Sequence, residues 1–174
     1  MNHTEFTLAL IVTTALSCAT PVLALPGDRE KPIHISSDSA DIDDKNGISV
    51  YRGNVIITQG TTRLTGDVIT IYSSDRQIQE VVSEGKTGMA CLEEDQGADK
   101  GILKAWGKTI RYHLGRERVE LIRQARLEQK GDTFTGDMIE YDKQTQVVNA
   151  KADGTGQGKR VEMIIQPRHQ RTSD

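Results

Sequence analysis

Leu64-Thr65-Gly66-Asp67-Val68-Ile69-Thr70-Ile71 returns 70 residues further on as Phe134-Thr135-Gly136-Asp137-Met138-Ile139-Glu140-Tyr141. After the shared Thr-Gly-Asp, apolar residues recur at every second position, which is the period of a strand with one face on a core. Gly107-Lys108-Thr109-Ile110-Arg111-Tyr112 repeats the pattern, and Ala40-Asp41-Ile42 opens a shortened version. The same offset pairs Val55, Ile57 and Gln59 with Ala125, Leu127 and Gln129. Leu64 and Phe134 are out of step with Ile69 and Ile139, so a β-bulge is expected at Gly66 and at Gly136.

Outward from this repeat the same period holds. Ile33-His34-Ile35, Val55-Ile56-Ile57 and Val119-Glu120-Leu121 are short, rich in β-branched residues and bounded by Gly, Asp, Asn or Ser. Asp43-Asp44-Lys45-Asn46-Gly47, Ser73-Ser74-Asp75, His113-Leu114-Gly115-Arg116 and Asp142-Lys143-Gln144 carry turn chemistry, and Lys143 reads as a surface residue. The chain is therefore all-β, built from antiparallel hairpins. One hairpin cannot bury its apolar face alone, so the hairpins stack or wrap, as a β-solenoid or a jelly roll. Alternation sends Val55, Ile57, Ile69, Ile71, Ile110, Tyr112, Val119, Leu121, Leu127, Ile139 and Tyr141 to one interior. Ile33-His34-Ile35-Ser36 and Val161-Glu162-Met163-Ile164-Ile165 sit at opposite ends of the sequence, as edge strands that a partner could extend.

Residues 1–24 contain no Lys or Arg but hold an apolar run from Phe6 to Leu16 and a small-residue exit at Val22-Leu23-Ala24. This reads as a secretory leader cut after Ala24; the run is too short to span a membrane. Of 174 residues, 150 remain, enough for one domain. They carry 22 basic and 24 acidic side chains with no basic block, which argues against a nucleic-acid partner. Cys91 is the one cysteine left, so no internal disulfide can form and the fold rests on its core and its ladder.

Catalytic patterns are not found. His34, His113 and His169 lack metal-ligand spacing, no Gly-x-Ser-x-Gly occurs, and no cofactor is expected. Asp41, Asp43, Asp44, Asp67 and Asp137 lie beside turns, where carboxylates accept local backbone hydrogen bonds. Gly85-Lys86-Thr87-Gly88 lacks the upstream glycine of a phosphate loop and reads as a turn.

The segment Leu25-Pro26-Gly27-Asp28-Arg29-Glu30-Lys31-Pro32-Ile33-His34-Ile35-Ser36-Ser37-Asp38, with Tyr51-Arg52-Gly53-Asn54-Val55-Ile56-Ile57-Thr58-Gln59-Gly60, resembles the OstA/LptA family of periplasmic lipopolysaccharide-transport proteins. Glu84-Gly85-Lys86, Lys108 to Tyr112 and Gly131 to Asp137 extend the likeness, which runs from Leu25 to Gln166. It implies an OstA-like twisted, open β-jelly roll over residues 25–166, followed by a mobile polar tail at 167–174. It also implies a non-enzymatic carrier of lipopolysaccharide that holds lipid A acyl chains in an apolar groove. Such a carrier would meet an LptC-like inner-membrane protein at its N-terminal edge, an LptD-like outer-membrane protein at its C-terminal edge, and its own copies head to tail. By motif, Ile33 and Ile35 would line the groove near the LptC-facing end, and Ile110, Tyr112 and Leu114 further along. Val55, Ile57, Ile69, Ile71, Leu121 and Leu127 complete the groove candidates; ordinary core packing uses the same residue types. The alternative is a β-edge scaffold or adhesion module that binds no lipid.

Overall fold

The structure is a computed structural model that describes residues 28–152 and 160–167; the leader and the tail beyond Pro167 lie outside the described residues. Among the described residues the strands are β1 (His34–Ser36), β2 (Ser39–Asp43), β3 (Ile48–Gln59), β4 (Thr62–Ser74), β5 (Gln77–Glu84), β6 (Ala90–Asp95), β7 (Ile102–Gly107), β8 (Thr109–His113), β9 (Arg118–Gln129), β10 (Asp132–Asp142), β11 (Val147–Lys151) and β12 (Glu162–Ile164). Single 3-10 turns lie at Asp28–Glu30 and Leu114–Arg116.

All strand pairs are antiparallel, and their registers show one sheet folded on itself. Strands β3, β4, β9 and β10 are long and pass through the fold. On one side of it their neighbours run β2, β3, β4, β5, β8, β9, β10, β11. On the other side the order is β1, β3, β4, β6, β7, β9, β10, β12. The two half-sheets face each other as an open jelly roll with free edge strands at both ends.

The fold line explains the broken phase in the repeat. Between its two half-sheets β3 advances from Arg52 to Val55 while β4 advances only from Val68 to Gly66. The same mismatch sets Ile122 to Ala125 of β9 against Met138 to Gly136 of β10. A register shift thus occurs beside each expected glycine, but the extra residue sits on the partner strand. There the backbone takes positive φ at Gly53 (82°) and Asn54 (46°), and at Arg123 (62°) and Gln124 (53°). Gly66 serves the bend differently, since a Cβ there would lie 2.2 Å from Ser83 Oγ and only a residue without a side chain permits so close an approach.

Between the half-sheets, the connection from β5 to β6 follows the fold line. Asp67 accepts hydrogen bonds from Thr87 N at 2.7 Å and Thr87 Oγ1 at 3.0 Å, Gly85 N donates to Lys108 O, and Lys108 Nζ donates to Gly88 O. Gly85-Lys86-Thr87-Gly88 is thus a pinned bend. The bonds from Thr87, its backbone N–H first, favour the ionised carboxylate and hold the Asp67 pKa below its usual 3.8. A carboxyl depressed in the folded state stabilises above its unfolded pKa, and that contribution fades as pH falls through the folded value. Asp67→Asn is therefore expected to flatten the stability-versus-pH curve below about pH 4, as read by urea melts across an acid series.

The interior residues named from the sequence pattern do face inward, but the pattern did not mark β11 as a strand, nor did it mark β5, β6 and β7. The inward residues of these last three, Val81, Ser83, Ala90, Leu92, Leu103 and Ala105, are all buried. In β6 and β7 the alternation is carried by small or charged residues around single leucines, so their apolar signal is weak.

Candidate functional site

The inward faces make one apolar cluster that runs from Ile35 of β1 to Val148 and Ala150 of β11. Of the groove candidates, Val55, Ile69, Ile71, Ile110, Leu121 and Leu127 are buried. Ile35, Ile57, Tyr112 and Leu114 are half-buried and packed against them. Ile33 stands apart: it precedes β1 and is 39% exposed. Val81, Leu92, Leu103 and Ala105, which the sequence pattern did not single out, belong to the same surface.

Burial changes along the site. Over the middle strands Leu92, Leu103, Ile110, Leu121, Leu127 and Ile139 are all 0% exposed, so the half-sheets touch there. Toward the ends the inward residues are partly exposed: Ile35, Tyr51 and Ile57 on one side, Phe134, Val148 and Ala150 on the other. The exposed apolar residues Ile42, Met163, Ile164 and Ile165 lie on or beside the edge strands at those ends.

Opposite the fold line, the two half-sheets meet at a mouth closed by polar side chains. Lys143, expected from the sequence to be a surface turn residue, is not one: its side chain is only 11% exposed. The turn itself is superficial, held by Asp142 Oδ1 accepting from Gln144 N and Thr145 N, while the Lys143 side chain runs inward. Its Nζ lies 2.5 and 2.8 Å from the two carboxylate oxygens of Glu94, on the opposite half-sheet, and donates to Tyr112 Oη at 2.7 Å. Burial works against the Lys143 charge, but the Tyr112 phenol and the Glu94 carboxylate more than offset it and hold the pKa above the ordinary lysine value. Lys100 Nζ donates to Lys143 O at 3.1 Å, and Tyr141 Oη lies 3.2 Å from Gln96 Oε1 and 3.3 Å from Gln129 Oε1.

The outward faces differ in kind. Arg111 bridges Glu80 (2.9 Å) and Glu120 (3.6 Å), Arg118 meets Glu140 (3.1 Å), and Arg126 stands over the Trp106 ring. Such exposed pairs are worth about 0 to 1 kcal/mol each and serve solubility more than stability. Cys91 is free and half-buried on the outward side of β6, across from Trp106. Among the described residues no group of His, Cys, Asp and Glu is arranged to hold a metal ion. The arrangement can shelter apolar chains between two sheets and offer strand edges at both ends.

Known proteins share this architecture. Residues 34–147 match a family model described as LptA/(LptD N-terminal domain) LPS transport protein. The lipopolysaccharide export system protein LptH of Pseudomonas aeruginosa is 46% identical over 93% of this chain and 95% of its own length. The lipopolysaccharide export system protein LptA of Escherichia coli is 29% identical over 94% of this chain and 86% of its own. A crystal structure of LptH from Pseudomonas aeruginosa, described as the LptA homologous periplasmic component of the conserved lipopolysaccharide transport device, superposes with a TM-score of 0.72 at 44% identity, covering 82% of this chain and all of that one. The family match runs from the first residue of β1 to the first of β11, through every long strand that frames the inward face, and the chain belongs to the LptA/(LptD N-terminal domain) family of lipopolysaccharide transport proteins.

Proposed function

We propose that this protein is a periplasmic carrier, exported on a leader cut after Ala24, that holds the acyl chains of lipopolysaccharide between its half-sheets and bridges inner and outer membrane. The observation that carries this reading is the apolar inward face, contributed by alternate residues of successive strands and running from Ile35 of β1 to Val148 and Ala150 of β11. Acyl chains are recognised by apolar area and not by hydrogen bonds, and such a face gives each methylene buried about 0.8 kcal/mol. The N-terminal edge strands β1 and β2 would pair with an LptC-like protein, the C-terminal edge strands β11 and β12 with an LptD-like protein, and β12 of one copy with the N-terminal edge of the next. Edge addition satisfies backbone groups that otherwise face solvent, and exposed Met163 (53%) and Ile164 (59%) add apolar contact. The energy of transport belongs to a partner, since the chain carries no nucleotide-binding motif.

The test is site-specific photo-crosslinking to purified lipopolysaccharide. A photoreactive residue at Ile35 or at Tyr112 is expected to attach lipid, whereas one at exposed Gln79 is not. Attachment at none of them, with the fold intact by circular dichroism, would overturn the carrier reading and favour a scaffold that works through its edges alone.

A further inference from the structure

An acyl chain cannot reach the middle of this interior while the half-sheets stay as they are. Leu92, Leu103, Ile110, Leu121, Leu127 and Ile139 have no exposed surface, so a path along the inward face needs the half-sheets to part. The topology allows this in one way. Along the fold line the ladder is interrupted between β5 and β6 and between β7 and β8, and only β3, β4, β9 and β10 continue across it. At that line two of the through-strands, β3 and β9, carry the bulges and positive-φ residues. The mouth, by contrast, is tied by side chains: Lys143 to Glu94, Lys100 to the Lys143 carbonyl, and Tyr141 to Gln96 and Gln129.

We propose that the Lys143–Glu94 pair, seated on Tyr112, is a releasable brace that holds the half-sheets shut across the mouth, and that its opening admits an amphiphile's acyl chains to the interior. The proposal rests on the carrier reading. Its chemistry suits a reversible closure. A buried ion pair loses much of its attraction to desolvation, so it contributes less to a closed state than apolar packing of equal volume would. It is nonetheless directional, and once the mouth admits water both partners are solvated in full, which lowers the cost of separation. Lys143 spans the gap because its turn follows β10 on one half-sheet, whereas Glu94 lies near the end of β6 on the other. Tyr112 fixes the ammonium from the side of β8, with the cation 4.9 Å from its ring centre. Lys143 and Glu94 are positioning residues in this reading, setting the gap without being required to touch lipid.

The experiment uses the full chain in a Cys18→Ser, Cys91→Ser background with nitroxide labels at Asp99→Cys and Gln144→Cys, exposed residues on opposite lips of the mouth. Pulsed electron resonance gives the inter-label distance with and without lipopolysaccharide. A photoreactive residue at Ile110 reports arrival of lipid in the middle of the interior. The expected results are a shift to longer distances on adding lipid, and the same shift without lipid in Glu94→Gln and Lys143→Met. The Ile110 adduct should form roughly tenfold faster in those variants, the factor that follows if closure loses about 1.4 kcal/mol. The reversed pair, Glu94→Lys with Lys143→Glu, should restore the shorter distance, which loss of packing alone would not do. Unchanged distances in the folded single variants would overturn the brace. An Ile110 adduct with no change in distance would overturn it too, while leaving the carrier reading intact. Parted labels with no adduct in any variant would overturn the carrier reading, and with it the role given to opening.

Discussion

Leu121→Ala is expected to lower the free energy of unfolding by about 2 to 5 kcal/mol, the range for truncating a fully buried leucine. Leu121 lies in β9, paired with Ile110 of β8 on one side and Ile139 of β10 on the other, and all three are 0% exposed. The truncation removes several methyl and methylene groups from contact with both neighbours and with the facing half-sheet, and antiparallel strands cannot close the space without losing register. Urea denaturation should show a lower midpoint with an unchanged slope. Met163→Ala, at an exposed edge, should by comparison move stability by less than about 0.5 kcal/mol. A small loss at Leu121 would mean that the half-sheets stand apart in solution and that the closed middle is a minority state.

Gly66→Ala is the second large effect, expected to cost about 1 to 3 kcal/mol as an over-packed site. The new Cβ would stand 2.2 Å from Ser83 Oγ and 3.1 Å from the Glu84 carbonyl oxygen. Ser83 is itself fully buried, and its hydroxyl donates to Thr65 O at 3.0 Å, so it cannot turn aside without leaving a buried polar group unpaired. The clash is specific and therefore reversible by design. In a Ser83→Ala background the nearest remaining atom is the Glu84 carbonyl, and the cost of Gly66→Ala should fall by more than half. A double-mutant cycle reads this coupling directly, and strict additivity would show that the bend relaxes to make room.

Much of this arrangement is legible without coordinates because a strand with one face buried must alternate. Ile69 and Ile71, Ile139 and Tyr141, Leu121 and Leu127 announce their face by spacing alone, and the offset of 70 that pairs Leu64 with Phe134 also pairs Val55 and Ile57 with Ala125 and Leu127. Turn chemistry was equally direct: Asp43 accepts from the backbone and side chain of Asn46, as its place before a turn requires. Strands β6 and β7 were hidden because Ala90, Glu94 and Ala105 face inward, and residue type carries burial only when the side chain is large and apolar.

The sequence by itself determined the all-β class, the inward residues of the strands with large apolar side chains and the turns at 43–47, 73–75, 113–116 and 142–144, since each depends on spacings of a few residues along one chain. Three features were decided only by the tertiary structure. The bulged residues fall on β3 and β9, because register is a property of two strands and cannot be read from one. The middle of the interior is shut, because the width of the gap is set by the packing of opposed side chains. Lys143 faces inward to Glu94, 49 residues away in sequence, because burial of a charge depends on a partner that folding alone delivers.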